Sequence, residues 1–209
     1  MFEIKVETVG QWSNNVYYLI SEKNVWIVDP GDECEKISSV IDDFGYKVSG
    51  ILLTHGHFDH ISSAEKLRVK YNTNVWIHSK DIKVARQANL LRKLANGSGL
   101  QDSLKKVELL DDRSKFQSSN VEIYHTPGHT PGSVCIEFGQ NLIVGDLLFW
   151  GNLGRTDLPG GSLDELHSSI KYILSNFSGF MIWPGHGAPF ILNAEMKEQI
   201  IDQVYGNKN

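Results

Sequence analysis

Cysteine is scarce: the 209-residue chain has two, Cys34 and Cys135, 101 positions apart. Neither lies in a Cys-x-x-Cys pair, which excludes a zinc knuckle and a dithiol redox motif. A single disulfide is conceivable, but two free thiols in a reducing compartment are expected, with Cys135 buried in a strand. No apolar run nears the roughly 18 residues that a membrane span needs. The most apolar stretch, Leu142–Trp150, is interrupted by Asp146. The start, Met1-Phe2-Glu3-Ile4-Lys5, lacks the basic segment and apolar core of a secretory signal. A cytoplasmic protein is therefore expected, acting at no membrane. Excess charge is also missing. Lys+Arg number 20 and Asp+Glu 25, a net charge of −5, so no broad nucleic-acid surface is foreseen. No linker rich in Pro, Gly or Ser divides the chain, and Gly-x-Ser-x-Gly is absent. One domain over residues 1–209 is expected, with 41% hydrophobic residues to fill its core.

Short β-rich runs alternate with helical patterns. Strands are predicted at Val16–Ile20, Val25–Val28, Ile51–Leu53, Val75–Ile77, Val121–Tyr124, Val134–Phe138, Leu142–Val144 and Met181–Trp183. Hairpin turns are read at Ser21–Asn24 and Phe138–Asn141. Ser162 and Glu165 have capping-box spacing ahead of a helix over Ser162–Asn176, whose stripe is Leu163, Leu166, Ile170, Ile173 and Leu174. Ile61–Tyr71 and Ala194–Tyr205 also read as amphipathic helices, and Glu33–Phe44 as a weaker one. The pattern predicts a layered α/β or α+β domain. Lys80–Lys106, with basic residues at 83, 86, 92 and 93, reads as a helix with a solvated face and a loop at Asn96–Gly99, or as a mobile segment beside the active site. Gly206–Asn209 is expected to fray.

The informative run is His55-Gly56-His57-Phe58-Asp59-His60, directly after a strand. Three of the chain's eight histidines fall within these six positions, which a random loop of exposed histidines explains poorly. In extended chain, residues i and i+2 face the same side, so His55 and His57 can share an ion while Asp59 and His60 face a second. His129, Asp146 and His186 each follow a strand, in or beside a glycine-containing turn. Strand ends on one sheet edge converge, so these seven residues can line one cleft. Counting ligands gives two metals: His55, His57 and His129 at one site, Asp59, His60 and His186 at the other, with Asp146 bridging. Imidazole and carboxylate suit zinc, the expected metal, and also iron or manganese; no thiolate marks a structural zinc site. Two such ions would generate hydroxide from a bridging water and polarise a carbonyl, with Asp59 binding metal and accepting a hydrogen bond from the nucleophile. Thioesters, esters, lactones, amides and phosphoesters all suit that chemistry. His78, His125 and His167 read as packing or surface residues. Asp29 is either a hydrogen-bond acceptor for a ligand histidine or an ordinary turn residue.

This motif set resembles the metallo-β-lactamase superfamily over nearly the whole chain. The resemblance implies a four-layer αβ/βα sandwich with a binuclear site at one edge. Within the superfamily the sequence is similar to glyoxalase II, the hydroxyacylglutathione hydrolases. Asp146 stands where true β-lactamases carry cysteine or serine. Nothing resembles the extra domain of the superfamily's RNA-processing nucleases. Gly154–Gly161 resembles the short bacterial and archaeal glyoxalase-II-like hydrolases. Longer members hold glutathione at this loop through a lysine and a tyrosine two positions on, where this chain has Arg155 and Asp157. Arg155 can still grip a substrate carboxylate bidentately, whereas Asp157 cannot replace the tyrosine. The longer members' helical C-terminal domain is not expected, since the chain ends 23 residues after His186. A thioesterase acting on a small-molecule thioester or ester is thus implied. Alternatives are a persulfide dioxygenase with one iron on His55, His129 and Asp146, a metallohydrolase for another ester or lactone, or a binding module with a spent site. Such modules lose ligands, and all seven are present here. Oligomeric state is not legible.

Overall fold

The computed structural model describes residues 2–97, 99, 101–111, 115–116 and 121–206. Ser98 of the predicted loop, and residues 207–209 of the segment expected to fray, lie outside the described residues. The chain divides into two compact units, Met1–Asp111 and Asp112–Asn209, each built on its own six-stranded sheet.

The first unit contains β1 (Phe2–Val9), β2 (Asn14–Ser21), β3 (Asn24–Val28), α1 (Cys34–Phe44), β4 (Lys47–Leu52), α2 (Phe58–Ile61), α3 (Ala64–Tyr71), β5 (Val75–His78), a 3₁₀ turn at Ser79–Asp81, α4 (Ile82–Arg86), α5 (Ala88–Leu94) and β6 (Glu108–Leu110). Its strands run in the order β1-β2-β3-β4-β5-β6. The first three pair antiparallel and the rest parallel. The predicted hairpin is present: Ser21 pairs with Asn24 across a two-residue loop with Glu22 at φ 57°, the left-handed geometry that matches strand twist. β1 escaped the sequence reading, although Phe2, Ile4 and Val6 alternate with Glu3, Lys5 and Glu7. It is an edge strand whose charged residues discourage further pairing. Residues Asn14–Ile20 of β2 are all buried, as expected of a strand covered on both faces. The parallel arrangement of β3, β4 and β5 sends their C-terminal ends to one edge, where the histidine run begins.

The helix predicted over Ile61–Tyr71 begins at Ala64, while Ile61 ends the separate short helix α2. The Ser63 N–H leaves the helical ladder and donates to Pro30 O at 3.0 Å, and the Ser62 hydroxyl donates to Phe58 O.

The second unit contains β7 (Lys115–Phe116), β8 (Val121–His125), β9 (Val134–Phe138), β10 (Asn141–Gly145), β11 (Leu148–Phe149), β12 (Asn152–Leu153), α6 (Leu163–Asn176), β13 (Met181–Pro184), β14 (Phe190–Ile191) and α7 (Ala194–Gly206). Its sheet order is β14-β13-β10-β9-β8-β7, while β11 and β12 form a separate two-stranded hairpin. β10 and β13 are parallel. The hairpin predicted at Phe138–Asn141 closes in register. Ser162 caps α6, its hydroxyl accepting from Glu165 N at 3.3 Å. Leu166, Ile170, Ile173 and Leu174 are buried against this sheet together with Met196, Ile200 and Val204 of α7. Fully burying such a side chain is worth about 1.5–3 kcal/mol. Leu163, placed in the stripe by spacing, is instead 53% exposed in the first turn of α6.

Both cysteines are free thiols; Cys135 is fully buried, and burial pushes its thiol up to about 12. Among the described residues no helix is long and apolar enough to cross a membrane.

Candidate metal centre

In the first unit, β4 delivers Leu53 and Thr54 to a turn carrying His55, His57, Asp59 and His60. All three histidines are buried, and the Asp59 side chain is 14% exposed. The His55 ring lies 4.8 Å from His57 and 4.1 Å from His60, centroid to centroid. Asp59 Oδ2 is 3.9 Å from His60 Nε2.

Asp29, fully buried after β3, organises this turn. Its carboxylate accepts from Thr54 N at 2.7 Å and from the Thr54 hydroxyl at 2.5 Å, and faces His60 Nδ1 at 2.9 Å. Of the two readings for Asp29, the structure supports the hydrogen-bond acceptor. Asp29, His55 and His60 do bring ligand-type atoms within 4.8 Å of one another. With three donors already on its carboxylate, Asp29 is placed to position the candidate ligands rather than to join them. The Thr54 proton goes to Asp29, so its oxygen accepts from His55 Nδ1 at 3.0 Å.

Two further supports had no signal in local spacing. The fully buried Asp81, at the end of the 3₁₀ turn, accepts from Gly56 N at 2.6 Å. Arg92 of α5 clamps Asp32 with two bonds of 2.8 and 2.9 Å and donates to Ser62 Oγ at 2.9 Å. Its guanidinium also sits over Trp12 and Phe58. Arg92 is 7% exposed, so it departs from the solvated basic face read over Lys80–Lys106; Lys83, Arg86 and Lys93 are exposed as expected.

In the second unit, three separate turns supply His129, Asp146 and His186. Asp146 and His186 follow the C-terminal ends of the parallel strands β10 and β13, where Gly145 pairs with Pro184. One oxygen, Asp146 Oδ2, lies 3.5 Å from His129 Nε2 and 3.6 Å from His186 Nε2. The Arg155 carbonyl faces His129 Nδ1 at 2.8 Å; a carbonyl can only accept, so Nδ1 carries the proton. The Phe149 ring packs 6.2 Å from His186. Arg155 is held by its neighbour: its Nε and Nη2 donate to the two Asp157 oxygens at 2.7 and 2.8 Å, with both side chains exposed. That guanidinium holds the Asp157 carboxyl down at about 2.

Each acidic residue also rests its backbone against a glycine. A Cβ on Gly31 would lie 2.3 Å from Asp59 O, and one on Gly154 only 1.9 Å from Asp146 O. Neither distance is compatible with a side chain, so both turns require glycine.

These donors suit a divalent cation. In His55, His60 and His129 the Nδ1 atom is engaged, so each presents Nε2. The Nε2-to-carboxylate separations of 3.5, 3.6 and 3.9 Å are long for hydrogen bonds. They suit co-ligands: two donors each about 2.1 Å from one tetrahedral ion stand roughly 3.4 Å apart.

The comparisons with known proteins agree. Residues 9–186 match the family model of the metallo-beta-lactamase superfamily. A probable metallo-hydrolase of Bacillus subtilis, YqgX, is 36% identical over 86% of this chain and 87% of its own length. The hydroxyacylglutathione hydrolase GloC of Haemophilus influenzae is 34% identical over 84% of this chain and 86% of its own. The solved structure of TTHA1623 in a di-iron-bound form superposes with a TM-score of 0.85 at 31% identity, covering 90% of this chain and 94% of that one. Fold and site together define a metal-dependent hydrolase that uses divalent ions. The chain belongs to the metallo-β-lactamase superfamily.

Proposed function

We propose that the protein is a binuclear thioesterase acting on 2-hydroxyacyl thioesters of the S-(2-hydroxyacyl)glutathione type, a small-molecule substrate. In this reading His55, His57 and His129 would hold one ion, Asp59, His60 and His186 would hold the other, and Asp146 would serve both. The observation that carries it is the double approach to Asp146 Oδ2. One carboxylate oxygen faces a histidine from each proposed site at nearly equal distance, a disposition that suits a carboxylate shared by two ions. The two irons in the TTHA1623 structure and the name of GloC support the metal count and the substrate class. Zinc is the metal proposed here, since the ligands are nitrogen and oxygen and the chemistry needs no redox change. When bound, two such ions supply hydroxide near neutral pH and polarise the acyl carbonyl. The chain's own part is to orient. Asp29 and Thr54 hold His60 and His55, the Arg155 carbonyl holds His129, and Asp59 offers an oxygen to the nucleophile's proton.

The test is hydrolysis of S-D-lactoylglutathione by zinc-loaded protein, followed by loss of thioester absorbance, with Asp146→Ala as control. Turnover that vanishes in the variant, with close to two zinc ions per wild-type chain, is expected. One iron per chain and oxygen uptake with glutathione persulfide would replace this reading with a persulfide dioxygenase. Turnover of simple esters or lactones alone would replace the substrate class.

A further inference from the structure

The second unit's turn from Asp146 to Gly161 contains one basic side chain, Arg155, and its charge is already cancelled. Two parallel N–H groups meet the Asp157 carboxylate at 2.7 and 2.8 Å. This is the fork in which a guanidinium would take a substrate carboxylate. The pair is anchored beside the proposed metal ligands, because the Arg155 carbonyl accepts from His129 Nδ1 at 2.8 Å. An incoming anion therefore meets an ion pair that is already closed. The same turn also carries the β11–β12 hairpin, whose residues Leu147 to Leu153 include no charged side chain. Phe149 packs against His186 at 6.2 Å, and Trp150, 63% exposed, stands edge-on to Phe190 at 5.8 Å. Phe149 is half-buried and Trp150 exposed, and both rings offer apolar contact.

We propose that Asp157 is a specificity-determining residue: by occupying Arg155 it denies that cation to carboxylates on the thiol portion of the substrate, so thioesters of uncharged thiols that can lie against Phe149 and Trp150 are preferred. The proposal rests on the thioesterase reading: it keeps the 2-hydroxyacyl group and revises the preferred thiol carrier from glutathione to an uncharged thiol. The bond broken is the same thioester C–S bond in either case; what changes is which leaving thiol is held.

Two thioesters with one acyl group test this: S-lactoyl-N-acetylcysteamine, which is uncharged, and S-D-lactoylglutathione, which carries carboxylates. Zinc-loaded wild-type protein should show the higher kcat/KM with the uncharged thioester. Asp157→Ala, at an exposed position, should move the ratio toward the glutathione thioester by about tenfold, the worth of a freed charge-assisted contact. The gain should appear in KM and shrink as salt is added. Trp150→Ala should lower kcat/KM for the uncharged thioester more than for the charged one. Binding of S-methylglutathione, which has no thioester to cleave, gives a reading independent of turnover. Its affinity should rise in Asp157→Ala. An unchanged substrate ratio and unchanged S-methylglutathione affinity in Asp157→Ala would overturn the proposal. So would loss of glutathione-thioester turnover in Arg155→Met, since Arg155 would then already read the carboxylate. Failure of both thioesters to react would sink the thioesterase reading alone, and the S-methylglutathione titration would still decide the role of Asp157.

Discussion

The ligand turn of the first unit and the ligand turns of the second reach similar geometry by different routes. In the first, four candidate ligands lie within six positions, and buried carboxylates lock the turn from behind: Asp29 through Thr54 and His60, Asp81 through Gly56. In the second, three candidate ligands come from three turns, 17 and 40 residues apart in sequence, and are brought together by strand register. The parallel pairing of β10 with β13 sets Asp146 beside His186, and a backbone carbonyl rather than a side chain orients His129. A contiguous motif can thus be held by a few strong polar contacts, whereas a dispersed one depends on the sheet. The first should fail by loss of a carboxylate, the second by displacement of backbone. What the two share is a glycine beneath the carbonyl of each acidic candidate, Gly31 under Asp59 and Gly154 under Asp146.

The largest effects should come from those glycines. Gly154→Ala and Gly31→Ala each force a Cβ into a backbone oxygen and should cost about 3 kcal/mol, read as a lower denaturation midpoint. If the comparison is right, the relaxed Gly154→Ala protein should also lose the alignment of Asp146, and metal binding should weaken beyond the loss of stability. Tolerance of alanine at either position would mean that the acidic residue's carbonyl does not need a glycine beneath it.

Next is Asp29→Ala, which strands the Thr54 N–H and the His60 Nδ1–H in the interior. It should cost about 3 kcal/mol and weaken metal binding 10–100-fold, measured by competition with a chelator. Asp81→Ala should cost about 1–3 kcal/mol through the buried Gly56 N–H, with Asp81→Asn recovering most of it because the amide oxygen still accepts. Equal damage from Asp81→Asn would mean that the charge, not the acceptor, is needed.

The smallest effect concerns the exposed pair. Asp157 has a folded value of about 2, below its ordinary 3.8, because Arg155 stabilises the carboxylate. Whatever the pair contributes is complete above pH 3.8 and is lost as the pH falls toward 2. A carbon-13 titration should place the Asp157 carboxyl midpoint near 2 and return it toward 3.8 in Arg155→Ala.

The histidine run was legible as a candidate site because side chains two apart in extended chain face the same side, a pattern visible in spacing alone. His129, Asp146 and His186 were legible as single residues at strand ends. The Asp81 support was not, since the bond joins residues 25 apart through a buried N–H that no pattern marks. The helix break at Ser62–Ser63 was equally hidden, because the competing acceptor, Pro30 O, belongs to another part of the chain. Arg92 looked like surface because it sits among exposed basic residues, and its aromatic and carboxylate partners come from elsewhere in the first unit.

Local sequence specifies most of the strand and helix alternation, the α6 cap and both hairpin turns, and it marks the candidate ligands. Each of these depends on interactions within a few residues. Tertiary structure decided which nitrogen each histidine presents, which charges are spent on one another and which glycines cannot be replaced. Those outcomes turn on donors, acceptors and backbone oxygens distant in sequence, and only the folded chain sets how close they come.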